Sequence, residues 1–447
     1  MAKLIPGLRR THQRLSIKSK TKEMRKSAFE FNISRLIRRE NQYELEHSPS
    51  KPVLICALQM TLCSFSMIFA SMRIWLVGEK MRRMRLPSSV KQLKIEKCKK
   101  LQYLMDGRDD ACTSSSSSSA MHMENINNIS LSLVEELSIS HCSSLTCIFS
   151  KDQFPASLKH LEIEDCSELT ILSPRDQLPE ALEELVIKEC PKLESIAKRF
   201  LNNTSLKCIE FWSCKNLKSI PAGLHNLIHL SHFKIFDCPN IVSFPEGGLP
   251  KTNLNYLLII DCRRLKALPN HLHNINSLKT LHIKQCSRIT SFPQEGFPAN
   301  LTVLSIEGLI LYKPLVEWGL HKLTSLTHLA IYGCTEVKSF PQEEIGMMLP
   351  PSLKYFRIRS FPNLKYLFPK GFQNLTSLEY MFIYDCPNLK SFPEVGLPSS
   401  LLQLHISRCP LLKQHCKRDK GREWSKIANI PLVKIDDKFI YDPEEEE

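Results

Sequence analysis

One short phrase, Leu-x-Ile-x-x-Cys, recurs along most of this chain and constrains its fold more than any other feature. Its closing position falls at Cys98, Cys142, Cys166, Cys190, Cys214, Cys238, Cys262, Cys286, Leu309, Cys334, Phe361, Cys386 and Cys409. The intervals are 44, then 24 six times, then 23, 25, 27, 25 and 23. Eleven of the 17 cysteines therefore occupy one slot of a thirteen-fold repeat. The first interval holds a run of six serines at 114–119, and 107–127 reads as a flexible insertion. Two kinds of copy alternate from Cys238 onward. One leads into its strand through Pro-x-x-Leu, as in "LPSSL", and the other through Asn-x-x-Ser-Leu, as in "QNLTSL".

A period of this length with L-x-x-L-x-L-x-x-C spacing is the leucine-rich-repeat pattern. In "SLKTLHIKQC", Leu278, Leu281 and Ile283 fall on one face of a short strand, and Thr280, His282 and Lys284 on the other. A single strand cannot bury its apolar side, so copies must stack. The expected fold is an α/β horseshoe, a solenoid with a parallel concave β-sheet. The return segment "CPxLxSFP" points Leu and Phe inward, and its prolines hold extended backbone, so the convex side should be irregular with few helices.

The cysteine belongs to the same geometry, as a small residue turning inward at the strand's end. Adjacent strands lie about 4.8 Å apart, too far for a strain-free disulfide with Cβ atoms near 3.8 Å. No Cys-x-x-Cys or matching histidine spacing offers a zinc site, and no cofactor motif is present. Reduced structural cysteines suit a cytoplasmic location.

Outside the repeat the chain divides readily. Residues 1–52 form a basic arm, in which 1–51 carry 13 Lys/Arg against 5 Asp/Glu. Residues 53–85 are an apolar segment. Within it 53–72 is uncharged and long enough to span a membrane, while a degenerate first repeat or an N-terminal cap is the other reading. The solenoid occupies 86–416. Residues 417–447 make a C-terminal cap, with Trp424, Ile427, Ile430 and Val433 placed to close the core, and an acidic tail.

The repeats "CPxLxSFPExGLPxSLxxLxIxxC" and the closing "GREWSKIANIPLVKID" resemble the leucine-rich-repeat region of plant nucleotide-binding disease-resistance proteins of the coiled-coil class. The resemblance covers about 86–437. It implies a part in plant innate immunity, with pathogen effectors or guarded host proteins as partners. It also implies contact with a nucleotide-binding switch domain. No Gly-Lys dipeptide occurs, so no phosphate loop of that kind is present and ATP binding is not carried over. A nucleotide-binding switch domain acting in trans is one partner that the resemblance allows.

An alternative is a membrane-anchored or extracellular leucine-rich-repeat receptor, using 53–72 as its span. The sequons at Asn202, Asn300 and Asn374 lie in the strand lead-ins and read as structural. Catalysis is not indicated, because no hydrolase, zincin or paired-carboxylate motif is present. The net charge of +14 does not indicate nucleic acid, because the basic arm lacks interleaved aromatics and the strands mix both signs.

Strand alternation marks the exposed columns. Early copies present Glu136, Glu162, Glu164, Asp165 and Glu184, an expected acidic patch. Middle copies present Trp212, Phe236 and Tyr256, and later ones Tyr332, Tyr355, Arg357, Arg359, Tyr380, Phe382 and Tyr384. Aromatic and Arg side chains dominate interface hot spots, so these ten are the candidate protein-binding residues.

Overall fold

The computed structural model describes residues 72–77, 90–104, 133–149, 154–172, 178–200, 205–289, 296–341, 348–372 and 374–440. The basic arm, most of the 53–72 segment, the serine-rich insertion and the acidic tail lie outside the described residues. Among the described residues no helix is long and apolar enough to cross a membrane.

Each copy of the phrase forms a strand, of seven residues in the first copy and five in the other twelve, and the strands stack in sequence order. They are β1 (Met72–Val77), β2 (Val90–Glu96), β3 (Glu136–Ser140), β4 (His160–Glu164), β5 (Glu184–Lys188), β6 (Cys208–Trp212), β7 (His232–Phe236), β8 (Tyr256–Ile260), β9 (Thr280–Lys284) and β10 (Val303–Glu307). There follow β11 (His328–Tyr332), β12 (Ser339–Phe340), β13 (Tyr355–Arg359), β14 (Tyr366–Leu367), β15 (Tyr380–Tyr384), β16 (Gln403–Ser407), β17 (Leu432–Ile435) and β18 (Lys438–Phe439). Sixteen of these form one sheet, and β12 pairs with β14 in a small second sheet. All neighbours in the main sheet are parallel except β17 and β18. The register keeps each repeat position in a column: Leu257 faces Leu281 and Leu304, and Ile259 faces Ile283 and Ile306. Those leucines and isoleucines are buried along the whole ladder. Each contributes roughly 1.5–3 kcal/mol of burial, which is why the two apolar positions tolerate so little polar substitution.

The sheet is longer than the thirteen copies read from the sequence. Strand β1 adds a parallel rung before the first cysteine, and β17 adds one after the last. In the closing segment Ile427, Ile430 and Val433 are buried, and Trp424 is half-buried.

Among the described residues the return side is irregular, with one substantial helix, α1 (Leu309–Trp318), between β10 and β11. It stands where the repeat departs from its phrase. Leu309 replaces the cysteine, "CPxLxSFP" is missing, and Leu311, Tyr312 and Leu315 are spaced for a helix whose buried face they form.

Candidate functional site: the outward face of the sheet

The strand's end explains the cysteine. In each of the eleven slots the thiol donates to the carbonyl two residues earlier, as from Cys142 to Ser140 at 3.4 Å, Cys190 to Lys188 at 3.3 Å and Cys386 to Tyr384 at 3.3 Å. That carbonyl also accepts an N–H from the preceding rung, as Ser140 does from Lys97 at 2.9 Å. Ten of these eleven cysteines are fully buried and Cys286 partly so. Burial pushes the Cys190 and Cys334 thiols up to about 12.

The residue before the slot has a positive φ in all thirteen copies: Lys97, His141, Asp165, Glu189, Ser213, Asp237, Asp261, Gln285, Gly308, Gly333, Ser360, Asp385 and Arg408. The chain must turn sharply off the sheet there while aiming the next side chain inward. The sequence carries this signal as four Asp and two Gly at one repeat position, residue types that accept the left-handed region. The sequence reading placed Asp165 on the exposed face, whereas it sits in this turn.

The outward face carries the other three positions of each strand in columns. Over β4 to β7 these are mostly ion pairs between rungs. Lys188 pairs with Glu162 at 2.8 Å, Lys234 with Glu210 at 2.7 Å, and His160 lies 3.2 Å from Glu184. Within the expected acidic patch Glu162 is thus neutralised by Lys188 from the next rung, while Glu184 faces the His160 imidazole of the rung before. Beside that face, Lys91 and Lys159 both bond to Glu135 and hold its pKa down to about 2.

The ten candidate residues fall into two groups. In the first, the Trp212 and Phe236 rings lie 5.2 Å apart, and the Trp212 indole N–H donates to Glu210 at 2.9 Å. Tyr256 sits between His232 and His282, at 5.8 and 5.6 Å, with Lys234 5.3 Å from its ring. The second group centres on Arg357. Its guanidinium carbon lies 4.9 Å from the Phe382 ring centroid, 5.3 Å from Tyr355 and 5.6 Å from Tyr384. Phe382 also contacts Tyr355 at 4.8 Å and His405 at 4.9 Å. Arg359 stands at the rim, where its Nε donates to Asp385 at 3.0 Å; Arg408 donates to the other oxygen of Asp385 at 3.3 Å. Tyr380 is opposite Tyr355 in register and is the most open of the aromatic set, 36% exposed. Tyr332 joins the second group through its phenol, which hydrogen-bonds with the Arg357 and Lys284 side chains, and the Lys284 Nζ is 4.2 Å from its ring.

Most of these aromatics are half-buried against one another, so they form two packed platforms rather than ten separate side chains. Sequence reasoning missed His232 and His328, which belong to the same columns; His328 stacks on Tyr355 at 5.5 Å. Periodicity could have found them, since they occupy the position of Tyr256 and Tyr355 in neighbouring strands. Burial lowers the pKa of His282 to about 4, with Lys284 adding to the effect, and holds His328 and His405 below the ordinary imidazole value. These rings are neutral at pH 7. Among the described residues no cluster of three or more His, Cys, Asp or Glu is placed to hold a metal ion.

No family model matches the chain. It is 38% identical over 93 residues to a candidate disease resistance protein of Arabidopsis thaliana, a match covering 21% of this chain and 6% of that protein. Among solved structures it is similar to the leucine-rich repeat domain of the type III effector XopL, with 16% identity, TM-score 0.38, and coverage of 58% of this chain and 85% of that one. A leucine-rich-repeat protein of Leptospira interrogans gives 17% identity and TM-score 0.35, covering 68% and 90%. Overlap at this level is partial, and the fold rests on the strand register above.

Proposed function

We propose that this chain is a non-enzymatic recognition module of plant innate immunity, acting in the cytoplasm, which binds a protein partner on the outward face of its sheet. The observation that carries the reading is the convergence of Tyr355, Arg357, Phe382 and Tyr384 from adjacent strands, with Tyr380 open beside them. A rigid parallel ladder holds these groups in place before any partner arrives, so little conformational entropy is lost on binding. Aromatic and Arg side chains in such an arrangement are those that hot spots use. The immune assignment is supported by the partial likeness to the Arabidopsis protein and by the closing phrase "GREWSKIANIP". The partner is a pathogen effector, a guarded host protein, or a nucleotide-binding switch domain supplied by another chain.

The test is affinity capture from pathogen-challenged plant tissue with the wild-type chain and with a Tyr380→Ala/Tyr384→Ala variant. Loss of about 2 kcal/mol of partner binding, read as at least a thirtyfold weaker Kd, is expected with the melting temperature nearly unchanged. Equal binding by both proteins, or unfolding of the variant, would remove the assignment.

A further inference from the structure

The outward face dips between the two aromatic platforms. In the middle column, the large side chains His282 and Arg357 bracket the small ones Ser305 and Ala330, in direct register. Ser305 points to the outward side, since Leu304 and Ile306 fill the core. It is nevertheless only 3% exposed, and its Oγ has no hydrogen-bond partner. The Nε of Arg357 is also enclosed and unpartnered. Buried polar atoms are normally satisfied, so two such atoms bordering one dip are a specific departure.

The charges over the dip are one-sided. Elsewhere on this face lysines find a carboxylate one rung back, as Lys188 finds Glu162 and Lys234 finds Glu210. Lys284 breaks that rule. The strand before it presents Leu258 and Ile260 at the equivalent positions, so its ammonium rests on the Tyr332 ring instead. Among the described residues neither Lys284 nor Arg357 has a carboxylate partner. Glu307, the nearest acidic residue in that column, is turned to the rim. A Cβ added to Gly333 would stand 3.3 Å from its Cγ. Burial raises the pKa of Tyr332, yet Lys284 and Arg357 outweigh burial and hold it below the ordinary tyrosine value, which reports a positive local potential.

We infer that Lys284, Arg357 and the Tyr332 phenol form a receptor for a carboxylate side chain presented by an acidic segment of the protein partner. The inference rests on the reading of this face as the partner surface and adds the partner's chemistry. Lys284 and Arg357 share the Tyr332 phenol as acceptor, and a carboxylate would supply the counter-charge that this pair of cations lacks. Its two oxygens suit the guanidinium fork, and the lysine adds a second charge-assisted bond.

The experiment uses the full chain and a dye-labelled, terminally blocked hexaglutamate peptide, with hexaglutamine as control, read by fluorescence anisotropy at low salt. Lys284→Gln and Arg357→Gln should each weaken hexaglutamate by about tenfold or more, while Ser305→Ala, at a hydroxyl sealed from solvent, should leave it unchanged. Glu307→Gln should tighten it, and hexaglutamine should not bind. Affinity unchanged by Lys284→Gln and Arg357→Gln would overturn the inference, including the case in which the peptide sits on the basic arm. Loss of partner in the Tyr380→Ala/Tyr384→Ala protein, with hexaglutamate indifferent to Lys284→Gln, would overturn the carboxylate receptor alone. The converse pattern would overturn the wider reading of the face.

Discussion

The carboxylate of Glu423 accepts a hydrogen bond from the backbone N–H of Phe392 at 2.9 Å, deep in the closing cap. Glu423 is only 4% exposed, and its charge is met by Lys426 at 3.0 Å. Lys426 also donates to the Phe392 carbonyl at 3.4 Å. Two residues of "GREWSKIANIP" thus bind both polar groups of one residue in the last "SFP" return segment.

Glu423→Ala should therefore open the cap, since it strands a buried amide and a half-buried ammonium together. The expected loss is about 2–3 kcal/mol. Stacked repeats fray from their ends, so the effect should be local first. Hydrogen exchange at the Phe392 amide should accelerate strongly, while amides of β6 and β7 stay protected. Uniform loss of protection along the ladder would contradict this.

The repeated turn gives a second expectation. Glu189 has φ 53°, a conformation that favours Gly, Asn and Asp. Glu189→Gly should stabilise by about 0.5–1 kcal/mol. Gly333→Val should destabilise, because φ is 64° there and an added Cβ would stand 3.3 Å from Glu307 Cγ. Urea denaturation of both variants checks the pair, and the opposite ranking would refute it.

Much of this architecture was legible in the sequence. The cysteine slot, the inward Leu and Ile and the outward columns all follow from a period that strands enforce. Strand β1 was harder to read. "MRIWLV" keeps the alternation but lacks the closing cysteine, and it adjoins an uncharged stretch that suggests a membrane span. The helix α1 was missed because its signal, a departure from the phrase at Leu309, was counted as one more copy. At the candidate site, alternation identified which residues share a face but not what they touch. Glu162 and Lys188 are 26 residues apart, and only stacking shows that the acid is already paired. The platform around Arg357 likewise exists only once β13 and β15 lie side by side.

The slot cysteines should resist labelling in the native state. Cys190 and Cys334 are buried, with pKa values near 12, so thiolate is scarce and access is closed. Their reaction with a thiol reagent at pH 8 should follow unfolding, while the half-buried Cys147 reacts sooner. Cys190→Asp should cost several kcal/mol, on the order of 3–5, by burying a charge without a partner. Rapid native labelling of Cys190 would show that the slot is not core.

Acid should weaken the fold in two separable windows. His282 has a folded pKa near 4 against an ordinary value of 6.5. Between those values the unfolded chain binds more protons, so stability falls as pH drops through the window. His328 and His405 are shifted in the same direction and add to it. Glu135, with its pKa near 2 against 4.5, loses its contribution lower down, between those values. Melting temperature against pH should fall from about pH 6.5 in the wild type, and His282→Gln should flatten the upper part of that fall. Identical profiles would contradict the assignment.

The last expectation separates the two roles available to the aromatic residues: covering one another along the ladder, or meeting a partner. Phe382 touches Tyr355, Tyr384, His405 and the Arg357 guanidinium, so it is the hub of its platform. Tyr380 stands at the edge of the same strand and is 36% exposed. Phe382→Ala should remove packing on all sides of a half-buried ring and cost about 1.5–2.5 kcal/mol of stability, roughly half the value for a full core site. Tyr380→Ala should change stability by no more than about 0.5 kcal/mol. If the face is a contact surface, both should weaken partner binding, Phe382→Ala by disordering the Arg357 platform and Tyr380→Ala by removing the contact itself. Chemical denaturation and a partner titration on the same two proteins read these effects independently. Weakened binding in Tyr380→Ala at unchanged stability is the outcome that mutual covering alone cannot produce. If only Phe382→Ala affects binding, and only in proportion to its lost stability, then the aromatics serve the ladder and not a partner.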